Sequence, residues 1–174
     1  GPVTQTAQTG ETVDVQLIAS SAGVIPQGVV AIDAIMTWDP AVLSLQEIVS
    51  GGGFAWFVSD FLTDPGGLNT DLTDGEVLYT ALTSPGTPAV VQPSPGLVVA
   101  TFRFVALQNS PGTPVALLPA TGTFAQTRVL FLFAEDITGD TSSFATVVVG
   151  APDPGFKRGD PNNDNNLNIA DGVW

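Results

Sequence analysis

The sequence predicts an all-β protein: an antiparallel β-sandwich of jelly-roll type with about nine strands, followed by a short C-terminal segment built on different lines. Three observations carry this expectation. Two long stretches, residues 28–43 and 97–107, alternate their side chains with period two. The 19 Gly and 14 Pro are spread along the chain and divide it into short runs. Helical periodicity is missing until the last few residues.

The stretch GVVAIDAIMTWDPAVL, residues 28–43, organises the rest. Val30, Ile32, Ala34, Met36 and Trp38 are all apolar and are expected to face a core. Val29, Ala31, Asp33, Ile35 and Thr37 point the other way, toward solvent or a partner. Two apolar residues beside an isolated acid are more than a solvated strand needs. Ala31, Asp33, Ile35 and Thr37 are therefore expected to form a protein-binding face. Asp39-Pro40 ends the strand, because proline removes a ladder donor and restricts the residue before it.

The remaining elements follow in order. ETVDVQLIA at 11–19 is a strand with a polar outer side, and 20–28 is a loop. Residues 43–49 form a strand with Leu43, Leu45 and Ile48 inward, broken by Gly51-Gly52-Gly53. FAWFVSDF at 54–61 is extended, 62–76 is a loop and 77–82 a strand. Four prolines make 83–95 a surface loop. LVVATFRFVAL at 97–107 sets Val99, Thr101, Arg103 and Val105 against Val98, Ala100, Phe102, Phe104 and Ala106. Residues 109–114 turn, and strands follow at 115–118, 128–133 and 143–149. Residues 1–150 are thus one sandwich, 151–157 a linker and 158–174 a separate segment.

Composition excludes several classes of function. Net charge is −13, from 17 acids against 4 bases, which opposes nucleic acid and anionic membrane surfaces. There is no Cys and no His, so disulfides, thiol nucleophiles, Ser–His triads and ordinary zinc sites are out. No run is long and apolar enough to insert in a membrane. Gly1-Pro2 has the look of a protease-cleavage remnant, which implies a leader already removed. The balance suits an extracellular protein, secreted or held at a cell surface.

The C-terminal segment RGDPNNDNNLNIADGVW carries the metal chemistry. With Asp160 as loop position 1, Asn162, Asp164, Asn166, Asn168 and Asp171 fall at positions 3, 5, 7, 9 and 12. That is the spacing of an EF-hand-like loop, in which alternate residues aim oxygens at a hard cation and position 7 uses its carbonyl. The expected cofactor is Ca²⁺. Asn165 stands at position 6, where glycine is usual, and asparagine tolerates the left-handed backbone needed there. Asp171 closes the shell with a shorter reach than glutamate.

GDPNNDNNLNIAD resembles the first calcium loop of a dockerin. Dockerins normally carry two such segments, so residues 158–174 are similar to the opening of one, truncated after its first loop. Ile169 and Ala170 occupy the positions that help dockerins choose partners. The sandwich has a resemblance of its own. GETVDVQL, GVVAIDAIMTWDPAVLSL and GLVVATFRFVAL together resemble a cohesin, the module that binds dockerins. The resemblance implies that a dockerin docks on the sheet face carrying the outer side of 28–43. Asp33 then stands where the family often contacts the dockerin, and Ala31 where the best-known class has asparagine.

The expected function is therefore non-catalytic: a cohesin-like module for calcium-dependent assembly of a cell-surface or polysaccharide-degrading complex. Its partner would be a dockerin-like module of another protein, with self-association through the C-terminal segment also open. A carbohydrate-binding module that takes a polysaccharide, or a structural repeat of a large surface protein, are the alternatives. Trp56 is the residue a sugar ring could stack on, whereas Trp38 shares the apolar face and belongs to the core. Glu135-Asp136 and Asp60 with Asp64 read as solvated loop acids rather than a glycosidase pair.

Overall fold

The computed structural model describes residues 3–58, 73–123, 125–132 and 135–150, the side chains of 57 and 58 apart. The linker and the calcium segment expected at 151–174 lie outside these residues, as do Asp60 and Asp64. In chain order the strands are β1 (Val3–Gln8), β2 (Thr12–Ala19), β3 (Gln27–Val29), β4 (Ala31–Thr37), β5 (Leu43–Ser50), β6 (Trp56–Val58), β7 (Glu76–Leu82), β8 (Ala89–Val91), β9 (Leu97–Ala106), β10 (Ser110–Leu118), β11 (Ala120–Thr121), β12 (Ala125–Gln126), β13 (Arg128–Phe131), β14 (Glu135–Asp136) and β15 (Phe144–Gly150). None of the described residues is in an α-helix, and none belongs to a helix long and apolar enough to cross a membrane.

Two sheets form the sandwich. One is β2-β9-β5; the other runs β1-β15-β10-β4, with β7 and then β6 on the far edge of β4. Both owe their faces to the period-two pattern. From the larger sheet Ile32, Ala34, Met36, Val77, Tyr79, Ala81, Val115 and Val147 point inward. From the smaller come Val13, Val15, Leu43, Leu45, Phe102 and Phe104. Two edge-to-face aromatic pairs join the layers: Trp38 to Phe104 at 5.3 Å and Tyr79 to Phe102 at 5.9 Å between ring centroids. Trp38 is a core residue, as its place in the alternation predicts.

Arg103 faces outward on the smaller sheet. It lies between Asp14 on β2 and Glu47 on β5, 2.9 Å from each carboxylate, in one cross-strand row.

The structure corrects the alternation at one point. Residues 28–43 are not one strand, and Val30 is not between the sheets. The chain bends at Val30, whose N–H donates to the Leu130 carbonyl (2.8 Å) and whose carbonyl accepts from Thr83 N–H (2.9 Å). Before the bend β3 pairs with β8; after it β4 pairs with β7 and β13. The bend shifts the phase by one residue, so Val29 takes the core place at 2 % exposure.

Other differences are local. The loop expected at 83–95 contains β8. The turn expected at 109–114 is the first half of β10, with Pro111 and Gly112 forming a bulge against β15. On β9 the expected outward residue Val99 is fully buried, because the β2 ladder skips it between Ala100 and Val98. β1 carried no strand expectation, and it pairs with β15 in parallel.

Candidate protein-docking face

β4 is the centre of the candidate face. β7 holds the whole of one edge, Ala31↔Leu82 through Thr37↔Glu76. The other edge is shared. β10 pairs with the second half of β4, Leu118↔Ile35 to Ala116↔Thr37, and β13 with the first half, Leu130↔Ala31 to Arg128↔Asp33. Both are antiparallel to β4, so β10 and β13 are one line interrupted by a flap at residues 119–127.

Thr127 closes the break in this line. Its Oγ1 accepts from Ile35 N–H at 3.1 Å and donates to the Leu118 carbonyl, and its N–H donates to the Pro119 carbonyl at 3.0 Å. The flap, carrying the small hairpin β11–β12, brings Ala125 over the outer side of β4. There Ile35, Leu78, Leu118 and Ala125 form a second apolar cluster apart from the main core.

The four residues predicted for a partner have separate fates. Ile35 has 0 % exposure beneath the flap and is no contact residue in this arrangement. Ala31 is also buried, at 7 %. Asp33 and Thr37 remain half-buried on the outer side. The expectation that this set forms one open face is corrected for Ala31 and Ile35, which are both buried, Ile35 by the roof that Ala125 and Leu118 supply.

Asp33 is built into its surroundings. Its Oδ2 accepts from Arg128 Nη2 on β13 at 2.9 Å, and its Oδ1 from the Thr80 hydroxyl on β7 at 2.7 Å. The three residues are register partners across three strands. The next row outward is apolar: Leu130, Ala31, Leu82 and Trp56 align across β13, β4, β7 and β6. Trp56 is 53 % exposed and Leu82 40 %, so the open part of the face lies at the β6–β7 side. Asp136 on β14 pairs with Leu130 and is held below the usual carboxylate range by hydrogen bonds from Thr138, with Arg128 adding to the effect.

Arg128, Thr80 and Leu82 were not foreseen as members of this face. Their strands were legible, but which residue stands opposite Asp33 depends on register, and no local signal fixes that. Trp56 was singled out for its ring and does stand exposed. Glu135 and Asp136 are exposed, as read from the sequence. Among the described residues no group of three His, Cys, Asp or Glu is placed to hold a metal ion.

No family model and no curated protein matches the chain. Solved structures do. The cohesin CaCohA2 from Clostridium acetobutylicum matches at TM-score 0.64 and 17 % identity, over 88 % of this chain and 91 % of that one. The chain has the cohesin fold. The third cohesin of ScaC from Acetivibrio cellulolyticus, solved in complex with the ScaB dockerin, matches at TM-score 0.63 and 15 % identity, over 86 % and 96 % of the two chains. A non-cellulosomal cohesin from the archaeon Archaeoglobus fulgidus matches at TM-score 0.56 and 11 % identity, over 86 % and 88 %. On the cohesin fold the open row of Trp56 and Leu82, with Asp33 beside it, lies on the outer side of the larger sheet.

Proposed function

We propose that this chain is a non-catalytic, extracellular assembly module that binds a dockerin-like partner on the outer face of β13, β4, β7 and β6. The observation that carries the reading is the exposed Trp56–Leu82 row beside the pre-organised Asp33–Arg128–Thr80 network, on a cohesin fold. An exposed aromatic ring that a partner can bury, with a polar group at its edge, is the usual make-up of a binding centre. The segment at 158–174 is its second functional part. Asp160, Asn162, Asp164, Asn166, Asn168 and Asp171 bind one Ca²⁺, and the metal orders the loop.

Calorimetric titration with the ScaB dockerin and the dockerins of other cohesin complexes tests the first part, and calcium titration against a chelator the second. A dockerin that binds the parent chain and loses that binding with Trp56→Ala supports the face. A second reading, stacking of a polysaccharide on Trp56, has the exposure of that ring in its favour. A glycan array on the same two proteins separates it: retention of a glycan, with no dockerin bound, would replace the assembly reading.

A further inference from the structure

We propose that the open edge of β2 is a binding site for an extended peptide, which adds as a strand beside Gln16 and lays alternate side chains into the gap between the two sheets. The site is separate from the outer face of the larger sheet. Three observations carry it.

The first is backbone pairing. β2 ends the smaller sheet, with β9 on one side of it. Thr12 stands opposite Val105, and Ala106 N–H donates to the Glu11 carbonyl at 2.9 Å. Bonded pairs alternate along an antiparallel ladder, so Val13, Val15 and Leu17 turn their N–H and carbonyl groups to β9. Thr12, Asp14 and Gln16 turn theirs to the open edge. Gln5 on β1 answers one of these groups: its Nε2 donates to the Asp14 carbonyl at 2.7 Å. Among the described residues nothing answers the N–H and carbonyl of Gln16.

The second is the gap beside that edge. A groove of about 910 Å³ follows β2 between the sheets. Leu17 stands on one wall, Val115, Leu117 and Ala145 on the other, and Met36 at the base. Leu17, Leu117 and Ala145 are only half-buried against the main core, so the core reaches water here. Apolar side chains of an added strand would close it.

The third is charge. β2 has neither Lys nor Pro to guard its edge, and its one charge, Asp14, is held by Arg103 at 2.9 Å. Asp14 and Arg103 are the sole charged residues along the groove among those described. Two copies meeting edge to edge would bring −13 against −13. A peptide with bases at its ends meets the same charge as attraction.

These features define the ligand. It is a strand of about six residues, or about 20 Å, apolar at alternate positions and basic at its ends. β1 enters β2 through a tight turn closed by Glu11 N–H to the Gln8 carbonyl, and so runs the opposite way. A peptide taking the direction of β1 pairs antiparallel. The peptide residue bonded to Gln16 then points its side chain outward, as Gln16 does, and its neighbours point into the groove.

Fluorescence anisotropy of labelled Lys-Thr-Val-Thr-Val-Thr-Lys with the 174-residue chain tests the proposal. Saturable binding is expected. N-methylation of the threonine amides should weaken it about tenfold or more, and N-methylation of the valine amides should leave it within about two-fold. Equal sensitivity, the reverse order, or no saturation with the unmethylated peptide overturns the proposal. These measurements need no change in the protein. Gln16→Pro removes the edge donor and spares the β9 ladder, because proline is tolerated where its nitrogen faces an open edge. It should weaken the peptide by a similar factor, with near-ultraviolet circular dichroism unchanged. Trp56→Ala should bind the peptide as the parent chain does. A peptide lost with Trp56→Ala and kept with Gln16→Pro overturns the edge site. Sedimentation velocity supplies the last arm: a dimer that excludes the peptide assigns the edge to a second copy and overturns the proposal.

Discussion

Arg128 reaches across from β13 to Asp33 on β4, Nη2 to Oδ2 at 2.9 Å, while Thr80 holds the other oxygen of the same carboxylate. The pair ties the strand that follows the flap to the centre of the larger sheet. Asp33→Ala leaves the guanidinium and the Thr80 hydroxyl without their acceptor. The expected cost is about 1–2 kcal/mol of stability, at the low end for a charged hydrogen bond because water reaches Arg128. Urea denaturation measures it. A double-mutant cycle with Arg128→Met should recover a coupling of several tenths of a kcal/mol or more, and a coupling of zero would make the pair incidental.

Thr127→Val keeps the shape of the side chain and removes its hydroxyl. The Ile35 N–H then loses its acceptor where β10 leaves β4. About 1–3 kcal/mol should be lost, the range for an unsatisfied buried donor. Amide exchange at Ile35 should quicken, with Phe102 and Phe104 on the opposite sheet unaffected. Uniform quickening would mean that the hydroxyl supports the whole fold and not the junction alone.

Tyr79 gives a pH dependence with a definite sign. Burial pushes its hydroxyl above the ordinary value, and a hydrogen bond with Ser50 offsets part of that rise. Above about pH 10 the unfolded chain has lost this proton while the folded chain keeps it, so stability falls as pH rises. Below that range the contribution is constant. Tyr79 is the sole tyrosine in the sequence, so ultraviolet titration reads it without interference from another phenol. Tyr79→Phe should flatten the alkaline limb of a stability profile; an unchanged limb would assign it to other groups.

Gly75 should not tolerate a side chain. Its φ is +88°, and a Cβ there would lie 2.5 Å from the Trp38 carbonyl oxygen. Its own carbonyl accepts from Trp38 N–H at 2.9 Å, which fixes the end of β4. Gly75→Ala combines left-handed strain with a backbone clash and should cost about 2 kcal/mol or more, read as a lowered melting temperature.

Asp160→Ala should remove the calcium heat and leave the main thermal transition of the sandwich where it is. Position 1 supplies a carboxylate that no neighbour can replace. A sandwich transition that moves with calcium would show that the two parts are not independent.

The sandwich was legible because residues 28–43 and 97–107 alternate a buried side with a wetter one, and Phe102, Phe104, Met36 and Trp38 mark the buried one. The bend at Val30 was not. Val29 and Val30 are chemically identical, and the choice between them is made by Thr83 and Leu130, distant in sequence. The flap was also hidden. Pro119 and Gly122 announce a turn, but nothing in its short run says that Ala125 will cover Ile35. Asp33 could be recognised as an unusual acid on an apolar strand. Its two partners could not, because each comes from a strand whose register is set by tertiary packing.

β1 and β15 run side by side in the same direction, Val3 against Ala145 through to Gln8 against Gly150. The sandwich is therefore entered at one end of this ladder and left at the other. A pull applied at Val3 and Gly150 slides the two strands along each other, loading their rungs together instead of peeling them apart singly. The evenly spaced bonds of a parallel pair share that load. The first and last strands thus act as a shear joint, and tension transmitted along the chain meets its resistance at this seam before it reaches the face around Asp33.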